Sequence, residues 1–203
     1  LFTLFGIDPY VSLFIAPPLM FAFGMLIQKA LVNPVLRVES ILPHNQVILT
    51  VGIGLVLQNV ATILFTSDYR STPVDYASTA FYLSDLWAGT PVEISLSLPW
   101  AVSFLLSVVI TVLLWFFLAH TDTGKSIRAT AQDKDAALIM GVNVGLMRVI
   151  TFGLGSALVA CAGCLFIPIY YLFPALGSQF TLIAFVITIL GGLGSTLGAI
   201  LGG

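Results

Sequence analysis

The chain has 203 residues, of which 59% are hydrophobic and 8% are charged, and its formal net charge is −2. An ordinary soluble domain is roughly 45 to 50% apolar and about 25% charged, so this composition excludes a soluble core surrounded by a charged surface. The basic residues are few and scattered, which excludes the basic face that a nucleic-acid-binding protein requires.

Long stretches with almost no charge predict an all-α, polytopic helical membrane protein. Each exceeds the roughly 18 apolar residues that mark a membrane-spanning helix. The stretches are Pro9–Gln28, Ser40–Ser67, Leu86–Thr121, in which Glu93 is the only charge, and Val149–Gly203. We expect residues 1–203 to form a single transmembrane domain that is incomplete at both ends, because the chain does not begin with Met and stops inside an apolar run.

About five spanning helices are expected in these stretches, because a span needs about 20 residues. The last apolar run is too long for one helix, and the breaker residues between Pro168 and Ser178 divide it. The expected helices are Val11–Gln28, Gln46–Phe65, Trp100–Ala119, Val149–Ile167 and Phe180–Gly203.

The basic residues predict which side of the membrane each loop faces, since short loops rich in Lys and Arg stay cytoplasmic. Six of the seven Lys and Arg residues follow the first and third helices, whereas only Arg70 follows the second. Residues 120–148 are therefore expected to form a cytoplasmic loop and residues 67–99 an extracytoplasmic loop. The chain would start outside, and Gly203 would lie near the cytoplasm.

No catalytic centre, metal site or cofactor is expected within the spans. His44 and His120 lie at separate loop edges, and no pair of carboxylates falls inside the bilayer. Cys161 and Cys164 form a C-x-x-C pattern, but no basic residue is near to stabilise a thiolate. We expect these two small side chains to pack against a neighbouring helix rather than carry redox chemistry.

Two glycine patterns resemble nucleotide-binding motifs but do not match them. The Gly-Lys-Ser sequence at 124–126 lacks the required Gly five positions earlier, where Ala119 stands. The glycines after residue 190 are one residue too widely spaced for a dinucleotide fingerprint, and no strand is expected before them. We expect them to allow close helix packing instead, through Gly191, Gly194, Ser195 and Gly198.

Two amides lie in the middle of the second expected helix. Gln58 and Asn59 follow the apolar run Ile53–Leu57. An amide in hydrocarbon is costly unless it is hydrogen-bonded, so both should face the interior of the bundle. We favour a hydrogen bond between helices, and the alternative is a polar lining along a solute path.

The loop 120–148 contains a predicted helix over Ile127–Met140. Thr123 or Ser126 is the expected N-cap, and Gly141 is the expected left-handed residue at the C-terminus. The helix combines small and apolar residues with a charged rim. It could lie on the membrane as a surface anchor or insert into a groove of another protein, and its composition fits both.

The spacing of Asp135, Ala136, Ala137 and Gly141 resembles the EAA loop of ABC importer permeases, the cytoplasmic helix that docks into the ATPase subunit. Asp135 stands where the loop usually has Glu, and no Leu-Pro follows at the usual distance. Stretches around it, in the same order along the chain, are similar to the H-type permease subunit of branched-chain amino-acid ABC importers. They are Leu55–Asn59, Phe65–Pro73, Arg128–Asp133 with Ala136–Val144, and Leu190–Gly203.

The resemblance implies a multi-pass permease subunit in a prokaryotic inner membrane, for branched-chain or related amino acids, with alternating access driven by separate ATPases. It implies two cytoplasmic ATP-binding subunits, a second related permease and an extracytoplasmic solute-binding protein as partners, besides the lipid bilayer. It also implies that the chain has no ATPase site of its own. Coupling to the ATPases would use Arg128, Asp135, Ala136, Ala137 and Gly141.

Two other functions remain open. An ion-coupled secondary transporter of a small solute could bind its ion through backbone carbonyls. A non-transporting scaffold could use the inner helix to anchor a cytoplasmic partner. The nearly charge-free spans fit an ATP-driven importer, which needs no proton-carrying carboxylate in the bilayer.

Overall fold

The computed structural model describes residues 9–36, 43–65, 80–82, 95–192, 198 and 202, and this part of the chain is predominantly helical, as predicted. Its elements in chain order are α1 (Pro9–Ile27), a π-helix (Gln28–Val32), α2 (Asn33–Leu36), α3 (Pro43–Phe65), β1 (Ala80–Tyr82), β2 (Ser95–Ser97), α4 (Leu98–His120), α5 (Asp122–Gln132), α6 (Lys134–Ile139), α7 (Val144–Phe166) and α8 (Leu176–Gly191).

Within these ranges, four helices are long and apolar enough to cross a membrane. They are Val11–Val32, Ile48–Phe65, Leu98–His120 and Val144–Phe166, which correspond to the first four expected spans. A fifth apolar helix, α8, has 16 residues and follows a turn at residues 167–175, where the breaker residues predicted one. The protein is thus an all-α polytopic membrane protein.

The last helix differs from its expected bounds of Phe180–Gly203. It begins earlier, at Leu176, because Ser178 lies in its first turn and donates its hydroxyl to the Ala175 carbonyl, at 2.7 Å. It ends at Gly191, because Gly192 has a φ of 86°, a left-handed conformation that glycine adopts without strain and that stops an α-helix.

The core of the described chain is the contact between α1 and α7. Two glycines permit it, since a Cβ at Gly153 would lie 2.8 Å from Met25 Cγ and one at Gly24 would lie 2.7 Å from Ser156 Cβ. The two helices are antiparallel, because Gln28, just after α1, lies beside the first residues of α7. Close backbone approach at small residues is the usual way for helices to pack in a bilayer.

The two ends of this helix pair differ in chemistry. At one end, which we call the basic end, Gln28, Lys134 and Arg148 border a common cavity. At the other, the aromatic end, Tyr170 lies 6.4 Å from Trp100 and 5.8 Å from Phe180 between ring centroids. Aromatic rings of this kind are enriched where a membrane meets water.

A second contact joins α4 to α7 at the aromatic end. The Ser103 hydroxyl donates to the Leu165 carbonyl at 3.1 Å, which satisfies a polar group within an apolar surrounding.

Just before α4, β1 and β2 form a short antiparallel pair in which Phe81 is opposite Leu96. Both strands fall within the segment 67–99 that was predicted as a loop.

Candidate functional site

The connection from α4 to α5 is a tight corner at the basic end. Thr121 has an extended backbone (φ −90°, ψ 150°) that ends α4, and its Oγ1 accepts the Gly124 N–H at 3.0 Å. A Cβ at Gly124 would lie 2.6 Å from Leu118 Cα, so only glycine fits there. The Gly-Lys-Ser sequence at 124–126 thus lies in the first turns of α5, packed against the end of α4.

The expected N-caps of the loop helix were wrong. Thr123 and Ser126 both lie inside α5, and Ser126 donates its hydroxyl to the Asp122 carbonyl at 2.8 Å instead of capping. The cap is Thr121, because the extended residue that ends α4 directs its side chain at the first free amides of the next helix.

The predicted single helix over Ile127–Met140 is also wrong, because Asp133 interrupts it. This residue has an extended backbone (φ −148°, ψ 110°), and its Oδ1 accepts the N–H groups of Asp135 at 2.9 Å and Ala136 at 3.0 Å. An aspartate gains these bonds only at the start of a helix, so it favours a break over continuation. The segment therefore consists of two helices, α5 and α6.

The end of α6 agrees with the prediction for Gly141. This glycine has a φ of 85°, and its N–H donates to the Leu138 carbonyl at 3.0 Å. The next residue, Val142, donates to the Ala137 carbonyl at 3.0 Å, which completes a Schellman motif. Asn143 then caps α7 by accepting the Leu146 N–H at 3.0 Å. We call residues 121–143, with a cap at each junction, the capped segment.

The structure brings together four of the five expected coupling residues on and just after α6, and separates the fifth. Asp135 and Ala136 are exposed on α6, whereas Ala137 is only 4% exposed and packs within the chain. Arg128 is exposed but belongs to α5. The paired alanines therefore have different surroundings, because consecutive helical residues point about 100° apart.

Three consecutive apolar side chains project from the end of α6. Leu138, Ile139 and Met140 are 50%, 85% and 83% exposed. We call this surface the apolar tip. The sequence contains the apolar run, but only the break at Asp133 and the turn at Gly141 determine that the whole run is exposed.

A cavity of about 330 Å³ lies between the capped segment and the α1–α7 pair. It borders the π-helix at Gln28, α5 at Ile127 and α7 at Arg148 and Phe152. We call it the basic cavity, because Lys134 and Arg148 both line it. Gln28 is 2% exposed, and its Nε2 donates to Asn33 Oδ1 at 3.1 Å, so its side chain is held in place. This cavity could not be predicted from the sequence, because its lining comes from three distant segments of the chain.

The two amides of the second span have different environments. Asn59 is exposed, and its Nδ2 donates to the Leu55 carbonyl of its own helix at 2.7 Å. Gln58 is half-buried, and among the residues that the structure describes its side chain has no hydrogen-bond partner. The interhelical hydrogen bond expected at this pair is therefore not seen within the described ranges.

The small residues near the C-terminus are described only in part. Gly191 ends α8, and a Cβ at Gly202 would lie 3.7 Å from the Gly191 nitrogen, so Gly202 is close to this helix end. Gly198 is half-buried. Gly194 and Ser195 lie outside the described residues.

The cysteines lie on α7, where Cys161 is half-buried and Cys164 is buried, and both are free thiols. In the described ranges, no three His, Cys, Asp or Glu side chains are grouped so that they could hold a metal ion.

Comparison with known proteins gives one consistent result. Residues 2–203 match the model of a family described as a branched-chain amino acid transport system permease component. The chain is 28% identical over 189 residues to the high-affinity branched-chain amino acid transport system permease protein LivH of Escherichia coli, covering 90% of this chain and 57% of that protein. It is 27% identical over 183 residues to the corresponding protein BraD of Pseudomonas aeruginosa, with the same coverage.

An archaeal relative is also similar over the whole chain. The probable branched-chain amino acid transport permease protein LivH of Methanocaldococcus jannaschii is 29% identical over 213 aligned positions, which cover 100% of this chain and 62% of that protein. The chain thus spans about 57 to 62% of the length of these curated relatives. No solved structure matches it.

Proposed function

Because the chain belongs to the family of branched-chain amino acid transport system permease components, we propose that it is a transmembrane subunit of an ATP-driven importer for branched-chain or related amino acids. The observation that carries this proposal is the capped segment, which presents the apolar tip to a partner. Two ATP-binding subunits, a second related permease and an extracytoplasmic solute-binding protein complete the assembly in a prokaryotic inner membrane.

The basic end is cytoplasmic in this proposal. Lys29, Lys134 and Arg148 lie at this end, and six of the seven basic residues fall in the loops assigned to this side. The aromatic end, at Trp100 and Tyr170, then lies at the outer membrane surface, where amphipathic rings are stable.

The apolar tip is the contact with the ATPase. Leu138, Ile139 and Met140 extend into solvent from a helix of only six residues, which is too short to be stable without its caps. Exposed apolar side chains on a short helix are typical of insertion into a groove of another protein. Asp135 and Ala136 lie at the edge of this contact, and Arg128 reaches the partner from α5.

The capped segment connects the tip to two spanning helices. Thr121 and Gly124 join α5 to the end of α4, while Ala137 and Val144, both buried, join α6 to the start of α7. A movement of the tip therefore moves α4 and α7 together. When ATP closes the ATPase pair, this connection changes the solute path from outward to inward access.

Gln58 is the residue of the second span that we assign to the solute path. Its side chain is half-buried, and within the described part of the chain it has no hydrogen-bond partner, so it can bind a polar group of a solute. Asn59 is the weaker candidate of this predicted pair, because its amide already donates to Leu55.

Reconstitution of the full-length protein with its partners in liposomes tests the proposal. We expect leucine uptake that requires ATP hydrolysis and that continues when ion gradients are dissipated. Uptake that persists with an inactive ATPase but stops without an ion gradient would instead establish a secondary transporter. An intact complex that moves no solute would establish a scaffold.

Ile139→Asp tests the apolar tip in the same assay. A buried charge at the contact should weaken ATPase binding by roughly 30-fold or more, since an unpaired charge at an interface costs about 2 kcal/mol or more. Tyr171→Asp, at an exposed position of the turn at the aromatic end, is the control and should bind the ATPase normally. Equal binding by the Ile139→Asp protein and the wild type would exclude the tip as the contact.

A further inference from the structure

The basic cavity has a lining that the proposed transport function does not use. Its two cations, Lys134 and Arg148, come from α6 and α7, and none of the described residues that line it is acidic. In the part of the chain that the structure describes, Lys125 and Asp122 form the only ion pair, so neither cation of the cavity is paired there. Two unpaired cations around one cavity favour an anionic ligand.

The cavity also extends from the membrane surface towards the hydrocarbon. Arg148 is the fifth residue of α7 and Gln28 is the fifth from the end of the first span, so both lie about 6 Å inside the ends of their helices. Phe152, which also lines the cavity, is one helical turn deeper. A ligand that carries both a charged group and an apolar part would contact the two cations as well as the apolar side chains Met147 and Phe152.

From this arrangement we propose that the basic cavity binds the phosphate-bearing headgroup of an anionic membrane lipid. Lys134 and Arg148 contact the phosphate, and the acyl chains leave past Met147 and Phe152 into the bilayer. A volume of about 330 Å³ suits a headgroup, with the chains outside. Basic pockets between spanning helices are a common form of lipid site.

A lipid in this position has a mechanical consequence. The cavity is bordered by both the capped segment and the α1–α7 pair, so a headgroup bound to Lys134 and Arg148 adds a second link between them, beside the direct contact of α6 with α7. It links Lys134 of α6 to Arg148 of α7 without a direct contact between the two side chains. The lipid thus stabilises the connection between the apolar tip and the membrane helices.

Lipid titration of the full-length protein, purified in detergent with the subunits that remain bound to it, tests this site by native mass spectrometry. The probes are dioctanoyl phosphatidylglycerol, dioctanoyl phosphatidylcholine and inorganic phosphate. We expect saturable binding of phosphatidylglycerol, weakened roughly fivefold for each cation removed and about 25-fold in the Lys134→Gln/Arg148→Gln protein. Lys125→Gln, a nearby basic residue outside the cavity, is the control and should bind like the wild type.

Three results would overturn the assignment. Phosphatidylcholine binding as tight as that of phosphatidylglycerol would show that charge plays no part, and an unchanged affinity of the double variant would have the same meaning. Displacement of phosphatidylglycerol by an equal concentration of inorganic phosphate would identify a soluble anion as the ligand. If the double variant does not fold, Lys134→Gln alone suffices, because this side chain is exposed and its loss should still weaken binding about fivefold. Lipid binding is measured without ATP, so failure here leaves the proposed transport function intact.

Discussion

The helices α3 and α7 are equal in length, with 23 residues each, and both are apolar and contain glycines, yet they have opposite surroundings. On α7, Gly153 permits close contact with α1, whereas on α3 no atom of the described residues outside the helix's own backbone lies within 4 Å of a Cβ position at Gly52 or Gly54. None of the span Ile48–Phe65 is buried within the chain. Hydropathy therefore identifies a span but does not determine what covers it.

This contrast divides the molecule functionally. The α7 side holds the capped segment and the basic cavity, so it can transmit movement. The α3 side contributes the partly covered amide of Gln58 and a surface that lipid or another chain can cover. Changes on α7 should therefore reduce stability or coupling, and changes on α3 should affect transport with little loss of stability.

The largest effect is expected at the contact between α1 and α7. Gly153→Leu should lower the free energy of unfolding by about 1 to 3 kcal/mol, because the new side chain overlaps Met25 and Phe21. Thermal unfolding in detergent, followed by circular dichroism, measures this change. Gly155→Leu on the same helix is the control, since among the described residues no atom outside the backbone of α7 lies within 4 Å of its Cβ position. Equal stability of the two variants would show that the contact between α1 and α7 is not the core.

The next effect is expected in the capped segment. Asp133→Ala should release the N–H groups of Asp135 and Ala136, at a cost of about 1 kcal/mol, which corresponds to roughly fivefold faster hydrogen exchange at both amides. Uptake should fall, because α6 no longer holds the tip in place. Asp122→Ala is the control. It removes an exposed acidic residue whose ion pair with Lys125 is 3.5 Å long, and it should change neither the hydrogen exchange at these two amides nor uptake. Unchanged exchange at Asp135 in the Asp133→Ala protein would contradict the capping role.

A smaller effect on stability, with a larger one on transport, is expected on α3. Gln58→Leu should change the free energy of unfolding by less than about 0.5 kcal/mol, because no described partner is lost, while leucine uptake falls severalfold. Val60→Leu, at an exposed position of the same helix, should leave both unchanged. Equal losses of stability and uptake would instead assign Gln58 a structural role.

The smallest effect on transport is expected at the cysteines. Cys164→Ala should cost about 1 kcal/mol because the thiol is buried, whereas Cys161→Ala should stay within about 0.5 kcal/mol. Uptake by either variant should respond to oxidants as the wild type does. A loss of oxidant sensitivity in one variant would show that the C-x-x-C pair has a redox role.

The sequence predicted the spans well because their signal is additive over many residues. The uncharged run Val149–Gly203 and its breaker residues predicted α7, α8 and the turn between them. Gly141 predicted the end of α6. The break at Asp133 was missed, because an aspartate fits the surface of a helix and its cap equally well in an isolated pattern. The burial of Ala137 was also missed, since it depends on how α6 lies against α7.

The basic cavity could not be predicted for a further reason. Its lining combines Gln28, Lys134 and Arg148, which are far apart in the chain and meet only because α1 and α7 are antiparallel. The π-helix that positions Gln28 depends on one additional residue per turn, which hydrophobic periodicity does not reveal.

Labelling of the apolar tip tests whether the capped segment carries a cytoplasmic contact for the ATPase. The protein is the Met140→Cys variant in a background with Cys161→Ala and Cys164→Ala, and the reagent is a membrane-impermeant maleimide. We predict labelling in inside-out vesicles stripped of the ATPase, none in right-side-out vesicles, and protection when the ATPase is added back. Labelling of Met140→Cys in right-side-out vesicles would contradict the claim.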